Sequence, residues 1–525
     1  MKKLITITIL VLAAFTYKIS SAQVFQKLYG GGGYEDAYFA EQTSDGGFIL
    51  CGTTDRYFAA DTQNVYVIKT DHNGDTLWTR SFGGLNAEGG KCVHEITGGG
   101  YIIVGNTYSF GAGGGDVYVI KTDANGDTLW TKTYGTTNNE KAYDIQQTTD
   151  GGYIISGTRG LGAQGSDAYL IKTDAAGNVL WSNTYGGLEE DQGYSVKQTT
   201  DGGYIIGGRT HDFNFNWSAL AFYLVKVDAN GNALWSKIIG GTGQESGYDV
   251  QQTSDGGYIM TGNTAFDPVG YGDVYLVKTD SMGNLLWSKT YGGPLHDYGH
   301  SVQQTADGGY VIAGGTKTTM FNDDGYVIKT NASGGLKWSR NFGSTSSDEF
   351  LHSIRQTTDN GFIISGMSGA TMWAKRPYLI RLDSAGYGVG RCDEGIPATT
   401  VTTPAPTISS PVPIVTTVAT IVTSPATHVA SGSEVITICS SVTDIQSPEN
   451  NLQDAISVYP NPFNNFITIK NNEADNKEII LFDITGKEIL RQEISGAETN
   501  LNTEKLSQGF YLLSCNRVNI KLVKF

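Results

Sequence analysis

Short runs in which apolar and polar residues alternate recur along most of this chain, and they predict β-strands. Residues 140–186 contain four such runs in order, YDIQQT, GGYIISG, DAYLIKTD and VLWSNTYGG. All four are rich in the aromatic and β-branched residues that suit a pleated sheet. The turns between the first two and the last two runs carry glycines, which supply the positive φ that tight hairpins need. The unit is therefore predicted to be a four-stranded antiparallel sheet.

This unit repeats along the chain. Six tryptophans mark it at spacings of 52, 51, 54, 52 and 51 residues: Trp78, Trp130, Trp181, Trp235, Trp287 and Trp338. A period of this length is typical of one blade of a β-propeller. Counting the first three strands gives seven units, of which the seventh lacks a Trp strand of its own.

The missing strand has a candidate near the N-terminus. The run VFQKLYGG carries Phe25 and Tyr29 at the four-residue spacing that separates Trp from an aromatic residue or Ile in the other units. A ring closed in this way leaves no open sheet edge between its first and last blades. We therefore expect an all-β fold in which residues 23–391 form a seven-bladed β-propeller of four-stranded blades, closed by the N-terminal strand.

The blade sequence also supports two resemblances. The rhythm Asp-x-x-Gly-x-x-x-Trp, as in Asp71, Gly74 and Trp78, resembles the blade motif of quinoprotein-like propellers. That resemblance concerns packing, and we interpret the tryptophans as contacts between blades rather than as a cofactor platform. The repeats also resemble those common in exported proteins of the Bacteroidetes, which implies an export route but no chemistry.

The first 22 residues have the layout of a secretory signal peptide. Lys2 and Lys3 precede an apolar run over residues 4–15, and Ser20-Ser21-Ala22 offers a cleavage site. The apolar run is shorter than the roughly 20 residues that span a bilayer, so no membrane insertion is expected.

Residues 392–449 change composition to Thr, Val, Ser and Pro. Apolar β-branched residues recur there at a strict period of seven: Val401, Ile408, Val415, Val422, Val429 and Ile436. The prolines forbid a continuous helix, so the segment is interpreted as an extended linker or a small irregular β element, with a separate ligand-binding module as the alternative. Cys392 and Cys439 bracket the segment and are the candidate disulfide pair among five cysteines.

Residues 450–525 carry the most specific motifs of the chain. The segments ISVYPNPFNNFITI, IILFDITGKEIL, LNTEKLSQGFYLL and KLVKF occur in this order from residue 456 to the end. They resemble the C-terminal sorting domain, or Por secretion tail, of type IX secretion substrates. The resemblance implies an Ig-like β-sandwich, the type IX machinery as a partner, and a final location outside the cell or on its surface, reached through the periplasm and outer membrane.

The overall charge limits the possible partners. The formal net charge is −16, and no run of Lys or Arg is present. Binding to a nucleic-acid backbone requires clustered positive charge, so nucleic acid is not an expected partner. No nucleophile elbow, P-loop or zincin motif occurs, and no catalytic residue is assigned.

One carboxylate recurs in every unit, three residues before the position of the first strand that holds Tyr or His in most units. The set comprises Glu35, Glu88, Glu140, Asp191, Glu245, Asp297 and Glu349. Such a set could ring one mouth of the central channel and hold a hard cation such as Ca²⁺. The favoured interpretation is structural, with each carboxylate accepting hydrogen bonds from the adjacent glycine-rich loop, so no metal or cofactor is assigned.

The loops joining strands two and three, together with those joining blades, must emerge on one face of the ring, which we call the variable face. The candidate ligand-binding residues are its aromatic side chains: Tyr57, Phe58, Tyr108, Phe110, Phe213, Phe215, Trp217, Tyr271, Phe321 and Trp373. Aromatic rims near carboxylates suit sugar faces or a protein hot spot. We expect a recognition or adhesion protein that binds an extracellular glycan or protein. A propeller-type glycoside hydrolase or lyase and a non-catalytic structural surface protein are the alternatives.

The sorting-tail motifs generate the first prediction. Removal of residues 456–525 should strand the protein in the periplasm, because the exported chain would lose the segment that the type IX machinery recognises. Cell fractionation and immunoblotting measure this directly. An undiminished amount of the truncated chain outside the cell would contradict the prediction.

Overall fold

The structure is a computed structural model of the whole chain, and only part of the chain is described below. The described residues are 24–30, 33–55, 63–160, 165–187, 189–211, 220–240, 243–264, 272–319, 322–344, 347–371, 374–388, 394–395, 400–402, 407–409, 414–417, 421–423, 428–430, 435–440, 456–459, 466–471, 477–483, 487–494, 498–507, 509–515 and 518–524. Within this part of the chain, no helix has the length and hydrophobicity needed to span a bilayer.

Seven antiparallel sheets form the ring, and each runs from an inner strand at the axis to an outer strand at the rim. The N-terminal strand is β1 (Phe25–Tyr29). Blade 1 contains β2 (Phe39–Gln42), β3 (Phe48–Thr54), β4 (Asn64–Thr70) and β5 (Thr76–Gly83). Blade 2 contains β6 (Glu88–Glu95), β7 (Tyr101–Thr107), β8 (Asp116–Thr122) and β9 (Thr128–Gly135). Blade 3 contains β10 (Glu140–Gln147), β11 (Tyr153–Gly160), β12 (Ser166–Thr173) and β13 (Val179–Gly186).

The remaining blades follow the same order. Blade 4 contains β14 (Asp191–Gln198), β15 (Tyr204–His211), β16 (Leu220–Val227) and β17 (Ala233–Gly240). Blade 5 contains β18 (Glu245–Gln252), β19 (Tyr258–Thr264), β20 (Asp273–Thr279) and β21 (Leu285–Gly292). Blade 6 contains β22 (Asp297–Gln304), β23 (Tyr310–Thr319), β24 (Asn322–Thr330) and β25 (Leu336–Phe342). Blade 7 contains β26 (Asp348–Gln356), β27 (Phe362–Thr371) and β28 (Ala374–Leu382) from its own repeat.

Each outer-strand Trp packs on the following blade. The Trp78 ring lies edge-on to Tyr101 of blade 2, with 5.7 Å between the ring centroids, and it also touches the turn at Gly126. Where the residue four positions later is Tyr, it adds a hydrogen bond, as the Tyr134 hydroxyl donates to the Gly177 carbonyl at 2.8 Å. The tryptophans are thus contacts between blades.

The N-terminal strand completes blade 7, as predicted. β1 pairs antiparallel with β28, and Phe25 takes the place of the missing Trp, since it lies edge-on to Phe48 of blade 1 at 5.8 Å. The Tyr29 hydroxyl donates to the Gly74 carbonyl at 2.7 Å, as its counterparts do elsewhere in the ring. The seven-bladed propeller closed by the N-terminal strand is confirmed.

A β-bulge interrupts the inner strand in blades 2 to 7, at the Tyr, His or Lys position. In blade 3 it falls at Tyr143, between Ala142 and Asp144. The opposing strand carries Gly157, where a Cβ would lie 1.9 Å from the Lys141 carbonyl oxygen, so only glycine fits against the bulge. A bulge re-aims the side chains at which it occurs.

The segment with the period of seven forms a fifth strand on every blade. Its strands are β29 (Glu394–Gly395), β30 (Thr400–Thr402), β31 (Thr407–Ser409), β32 (Ile414–Thr417), β33 (Ile421–Thr423), β34 (His428–Ala430) and β35 (Val435–Ser440). They pair antiparallel with β25, β21, β17, β13, β9, β5 and β1 in that order, so the segment follows the ring backwards from blade 6 to blade 7. We call these seven strands the belt.

The belt explains the period of seven and differs from the linker expected from composition. Val422 lies opposite Tyr134 and Val401 lies opposite Tyr291, which are equivalent outer-strand residues. Successive belt strands pair with successive blades, so one repeat of seven residues, which spans roughly 23 Å when fully extended, corresponds to one blade. The outer strands that pair with the belt lie far away in the sequence, which composition does not reveal.

The chain divides into one compact unit over residues 1–441 and a second over residues 442–525. The second unit contains a three-stranded sheet, ordered β36 (Ile456–Tyr459), β37 (Phe466–Asn471), β40 (Glu498–Asn502). It also contains a four-stranded sheet, ordered β39 (Glu488–Ile494), β38 (Lys477–Asp483), β41 (Gly509–Cys515), β42 (Val518–Lys524). Its core includes Ile467, Ile479 and Leu513.

The belt generates the second prediction. A chain ending at residue 391 should melt at a temperature lower by about 5 °C or more than a chain ending at 441, because seven rim strands lose their hydrogen-bonded partners. Differential scanning calorimetry measures the difference. The matched control is the full chain against the chain ending at 441, which should melt alike at the propeller transition because the second unit is compact by itself. Equal melting of the chains ending at 391 and 441 would contradict the role of the belt.

Candidate functional site

Three layers of side chains from the inner strands surround the axis. The first layer holds the residues at the bulge position: Tyr38, Lys91, Tyr143, Tyr194, Tyr248, His300 and His352. The second layer holds the residues that follow them: Phe39, Cys92, Asp144, Ser195, Asp249, Ser301 and Ser353. The third layer holds the residues two positions further along: Glu41, His94, Gln146, Lys197, Gln251, Gln303 and Arg355. The first two layers, with Lys197 and Arg355, line a cavity of about 240 Å³ that we call the axial cavity.

The first layer is a nearly continuous aromatic ring. Neighbouring rings approach closely, as for Tyr143 and Tyr194 with 4.8 Å between their centroids, and for the stacked pair His300 and His352 at 5.3 Å. Burial lowers the pKa of both histidines, and His300 Nδ1 lies 3.0 Å from the Leu351 carbonyl oxygen. Four other blades have Tyr at the positions of these two histidines. The sequence predicted this equivalence.

Lys91 completes the first layer between blades 1 and 3. Its ammonium lies over the Tyr38 ring, 3.4 Å from the centroid, which is a close cation–π contact. Burial lowers the pKa of Lys91, while the nearby Asp36 carboxylate opposes that shift. A desolvated cation therefore interrupts an otherwise aromatic layer.

The second layer carries a chain of hydrogen bonds around the axis. The Ser195 hydroxyl lies 3.2 Å from Asp144 Oδ2 and 2.9 Å from Asp249 Oδ1, so it can donate to either carboxylate. The Ser301 hydroxyl donates to Asp249 Oδ2 at 3.1 Å and accepts from Arg355 Nη1 at 2.9 Å. Buried polar groups that are all engaged in this way hold one another in fixed positions.

Lys197 compensates the charge of Asp144. Its ammonium donates to Asp144 Oδ2, and both side chains are largely buried. Burial alone would raise the pKa of Asp144, but Lys197, His94 and the Val196 N–H together hold it below its ordinary value. The carboxylate is therefore ionised inside the ring, and its position depends on the lysine.

Three potential metal ligands meet where blades 2 and 3 adjoin. Cys92 Sγ lies 3.4 Å from His94 Nε2 and 3.4 Å from Asp144 Oδ1. Glu41 Oε2 lies 2.7 Å from His94 Nδ1. Burial opposes protonation of His94, yet the Glu41 carboxylate and Cys92 raise the pKa of His94 well above its ordinary value. No metal was predicted at these residues from the sequence.

A second cavity of about 270 Å³ opens on the variable face between blades 1, 2 and 3, and we call it the mouth cavity. Its lining shares Tyr38, Lys91 and Tyr143 with the axial cavity. The other lining residues include Tyr34, Asp36, Gln63, Glu88, Asn106, Tyr108 and Lys141. The mouth cavity thus combines aromatic rings with amide, carboxylate and ammonium groups.

Asp36 shows how the mouth cavity is organised. Its Oδ1 accepts the Thr53 N–H at 2.7 Å, and its Oδ2 accepts the Tyr34 hydroxyl at 3.2 Å. Burial raises the pKa of Asp36, in opposition to Lys91 and these hydrogen bonds. Burial and the Asp36 carboxylate in turn raise the pKa of Tyr34 to about 12, so the Tyr34 hydroxyl keeps its proton at neutral pH.

The seven recurrent carboxylates lie inside the blades. All are at most 3 % exposed, and none belongs to the described lining of the axial cavity. Glu88 Oε2 accepts the Gly84 N–H at 2.8 Å and Glu88 Oε1 accepts the Thr107 hydroxyl at 2.9 Å. Asp191 Oδ2 accepts the Gly187 N–H at 2.7 Å. The described contacts of Glu88 and Asp191 are thus with the loops beside them, and Glu88 also lines the mouth cavity.

Two members of this set have raised pKa values. Burial raises the pKa of Asp297 to about 6 and that of Glu349 to about 7. Asp297 nevertheless accepts the Gly293 N–H at 2.7 Å, and Glu349 accepts the Ser368 hydroxyl at 2.7 Å. Both carboxyls are therefore engaged with the loops beside them.

Two of the ten predicted ligand-binding aromatics lie within the described residues. Tyr108 is 47 % exposed and lines the mouth cavity. Phe110 packs over its own blade, with its ring centroid 5.9 Å from that of Tyr118. The others lie outside the described residues: Tyr57, Phe58, Phe213, Phe215, Trp217, Tyr271, Phe321 and Trp373. Cys392 also lies outside them, and the side chain of Cys439 is not described, so the disulfide stays a prediction.

The sequence analysis did not identify the second and third layers, although the spacing of their residues is visible in the sequence. Cys92 and His94 stand two residues apart on one strand, which places both side chains on one face. The bulge at the preceding position turns that face toward the axis. An isolated strand pattern does not reveal a bulge, so the sequence alone indicated only the Tyr and His positions of the first layer.

The C-terminal residues match a known family model. Residues 457–525 match the secretion system C-terminal sorting domain, Por_Secre_tail. This confirms the predicted sorting tail, and with it export by the type IX secretion system to the cell surface or the medium.

Comparisons with whole proteins give more distant likenesses. A regulatory protein FlaEY of Caulobacter vibrioides is 24% identical over 178 residues, which cover 29% of this chain and 18% of that protein. The structure of PorZ, described as an essential bacterial surface component of the type IX secretion system of Porphyromonas gingivalis, matches with a TM-score of 0.38 and 12% identity over 94% of this chain and 60% of that one. A puromycin hydrolase matches with a TM-score of 0.40 and 13% identity over 65% and 51% of the two chains. This chain thus spans less than two thirds of each of these proteins.

The Asp144–Lys197 pair generates the third prediction. Lys197→Gln should lower the free energy of unfolding by roughly 3–5 kcal/mol at neutral pH, because it leaves the Asp144 carboxylate buried without its countercharge. The cost should shrink at acidic pH, where protonation of Asp144 removes the unpaired charge. Urea denaturation at the two pH values measures both effects.

The matched control is the double variant Asp144→Ser, Lys197→Gln. It installs the residue types that blades 4 and 5 carry at these positions, Ser195 and Gln251. We expect it to recover at least half of the lost stability. A double variant less stable than the Lys197→Gln single variant would show that charge compensation is not what holds this pair.

Proposed function

We propose that this chain is a recognition protein, exported by the type IX route, whose propeller binds a saccharide unit in the mouth cavity. The observation that carries the proposal is the composition of this cavity. Its wall brings Tyr34, Tyr38, Tyr108 and Tyr143 together with side chains that can donate or accept hydrogen bonds. Sugars present apolar ring faces and a dense rim of hydroxyls, so aromatic faces beside convergent polar groups suit them.

The position of the mouth cavity supports the same function. It is built from the ends of the inner strands and from the loops between strands two and three of blades 1 and 2, hence on the variable face. The opposite face is built from hairpin turns that are nearly identical from blade to blade. A face whose loops differ between repeats is free to acquire specificity, whereas the uniform turns are constrained by folding.

The charges favour a saccharide with hydroxyl or weakly acidic groups. Lys91 and Lys141 line the cavity together with Asp36 and Glu88, so cations and carboxylates are mixed rather than segregated. The Asp36 and Glu88 carboxylates already accept internal hydrogen bonds, while Lys91 lies between the two cavities with its charge desolvated. A carboxylate or hydroxyl of the ligand would supply an acceptor for this ammonium.

The fourth prediction tests this proposal. A glycan array probed with the full mature chain should give saccharide hits, and Tyr108→Ala should weaken binding of those hits roughly two- to tenfold, the equivalent of about 0.5–1.5 kcal/mol for one aromatic contact. The melting temperature should stay nearly unchanged, because Tyr108 is half exposed. Binding is measured by isothermal titration calorimetry with the best hit.

Phe110→Ala is the matched control in the same loop. Since Phe110 packs on Tyr118, its loss should lower the melting temperature and leave the affinity for the sugar within about twofold. An array without saccharide hits would contradict the proposal and favour a protein ligand on the variable face. Unchanged affinity in Tyr108→Ala would exclude the mouth cavity as the binding site.

A further inference from the structure

The cluster of Cys92, His94 and Asp144 has the dimensions of a metal site. One ligand atom from each residue lies within 4.8 Å of the other two, and two of these separations are 3.4 Å. A tetrahedral zinc ion bound at about 2.3 Å from sulfur and about 2.0 Å from nitrogen separates those two atoms by about 3.5 Å. The thiol and the imidazole therefore already stand at the spacing that such an ion imposes.

The Glu41 carboxylate fixes the orientation of the His94 ring. Glu41 Oε2 lies 2.7 Å from His94 Nδ1, which leaves Nε2 directed at Cys92 Sγ. Glu41 is itself held, since its Oε1 accepts the Glu95 N–H at 2.7 Å. A carboxylate on the far nitrogen of a ligating histidine fixes the tautomer and the ring orientation, and it is a recurrent arrangement around protein-bound metals.

Asp144 divides its two oxygens between different partners. Oδ2 accepts from Lys197 and from the Val196 N–H at 3.1 Å, while Oδ1 faces Cys92 Sγ. The lysine thus approaches the oxygen on the other side of the carboxylate and does not occupy the space between the three ligand atoms. Asp144 Oδ1 is the third corner of the cluster.

We propose that Cys92, His94 and Asp144 bind one zinc ion, with a fourth coordination position directed toward the axial cavity. One sulfur, one nitrogen and one oxygen ligand form a mixed set that suits a borderline cation such as Zn²⁺ better than the all-oxygen preference of Ca²⁺ or Mg²⁺. On binding, the thiol releases its proton to solvent, and so does His94 Nε2 where it is protonated, so that a thiolate and a neutral imidazole coordinate beside the Asp144 carboxylate. Cys92 and Asp144 both line the axial cavity, which gives the fourth position access to water or a ligand group.

The site is distinct from the mouth cavity and does not depend on saccharide binding. A cysteine with only a packing role at this position would need only apolar or hydrogen-bonding contacts for its thiol. It would not require a histidine two residues later whose other ring nitrogen contacts a carboxylate. Blade 2 alone combines Cys and His at these two positions, whereas blade 6 has Ser301 and Gln303 there.

The fifth prediction tests the zinc site in the full mature chain, purified with a non-chelating reductant and stripped of metal. Isothermal titration calorimetry with Zn²⁺ should show a site that Cys92→Ser and His94→Gln each weaken at least tenfold. Glu41→Gln should weaken it by roughly 10–100-fold through the orientation of His94. Cys51→Ser is the matched control, because Cys51 is the other described free cysteine, buried in blade 1 outside the cluster, and its loss should leave zinc affinity unchanged.

Cobalt supplies a measurement on the unaltered chain, in case a variant fails to fold. Co²⁺ bound at this site should give a thiolate-to-cobalt charge-transfer band in the near ultraviolet and intense tetrahedral visible bands, and Zn²⁺ should displace both. The bands should survive in Cys51→Ser and vanish in Cys92→Ser. Wild-type protein without a thiolate band, or equal zinc affinity in wild type, Cys92→Ser and His94→Gln, would overturn the proposal.

Discussion

The contact between neighbouring blades is the interaction on which the rest of this structure depends. An outer-strand aromatic packs against the aromatic that begins the second strand of the next blade, and where the residue four positions later is Tyr, its hydroxyl donates to the carbonyl of a glycine turn there. The same contact, made by Phe25 and Tyr29, joins blade 7 to blade 1. No blade could bury its faces alone, so each is stable only because its neighbours repeat this contact.

Closing the ring covers the faces of the blades but leaves seven outer strands at the rim, each with a row of unpaired backbone groups. The belt supplies a partner for every one of them, and its last strand, β35, pairs with β1, so the N-terminal strand lies between β28 and the belt. The N-terminal strand and the belt, which both lie outside the repeats, thus pair with each other at blade 7. Covering these edges protects the propeller, because exposed strand edges promote aggregation.

The repeats allowed the ring and its closure to be predicted, because six blades share the Trp strand, the seventh lacks it, and the N-terminal run carries the same spacing. The belt could not be predicted in the same way: the period of Val401 and Val422 is visible in the sequence, but their partners Tyr291 and Tyr134 lie more than a hundred residues away. The axial layers were hidden for another reason. A bulge is a backbone feature, and it alone brings Tyr143 and Asp144 to the same side of the strand.

The contacts between blades are similar all around the ring, so a blade whose axial residues differ from those of the others is a candidate for a special function. Blade 2 differs most. This blade replaces the aromatic residue of the first layer by Lys91, and it alone carries the Cys92 and His94 combination in the layers below. Its hairpin also departs from the rule, since Gly98, Gly99 and Gly100 all have positive φ where other blades place an Asp that pairs with a buried lysine or, in blade 7, with Arg381. Lys91 faces the mouth cavity and Cys92 faces the axial cavity from the same strand. Adjacent positions of β6 thus contribute to both cavities, and they are the positions at which blade 2 differs from the other blades.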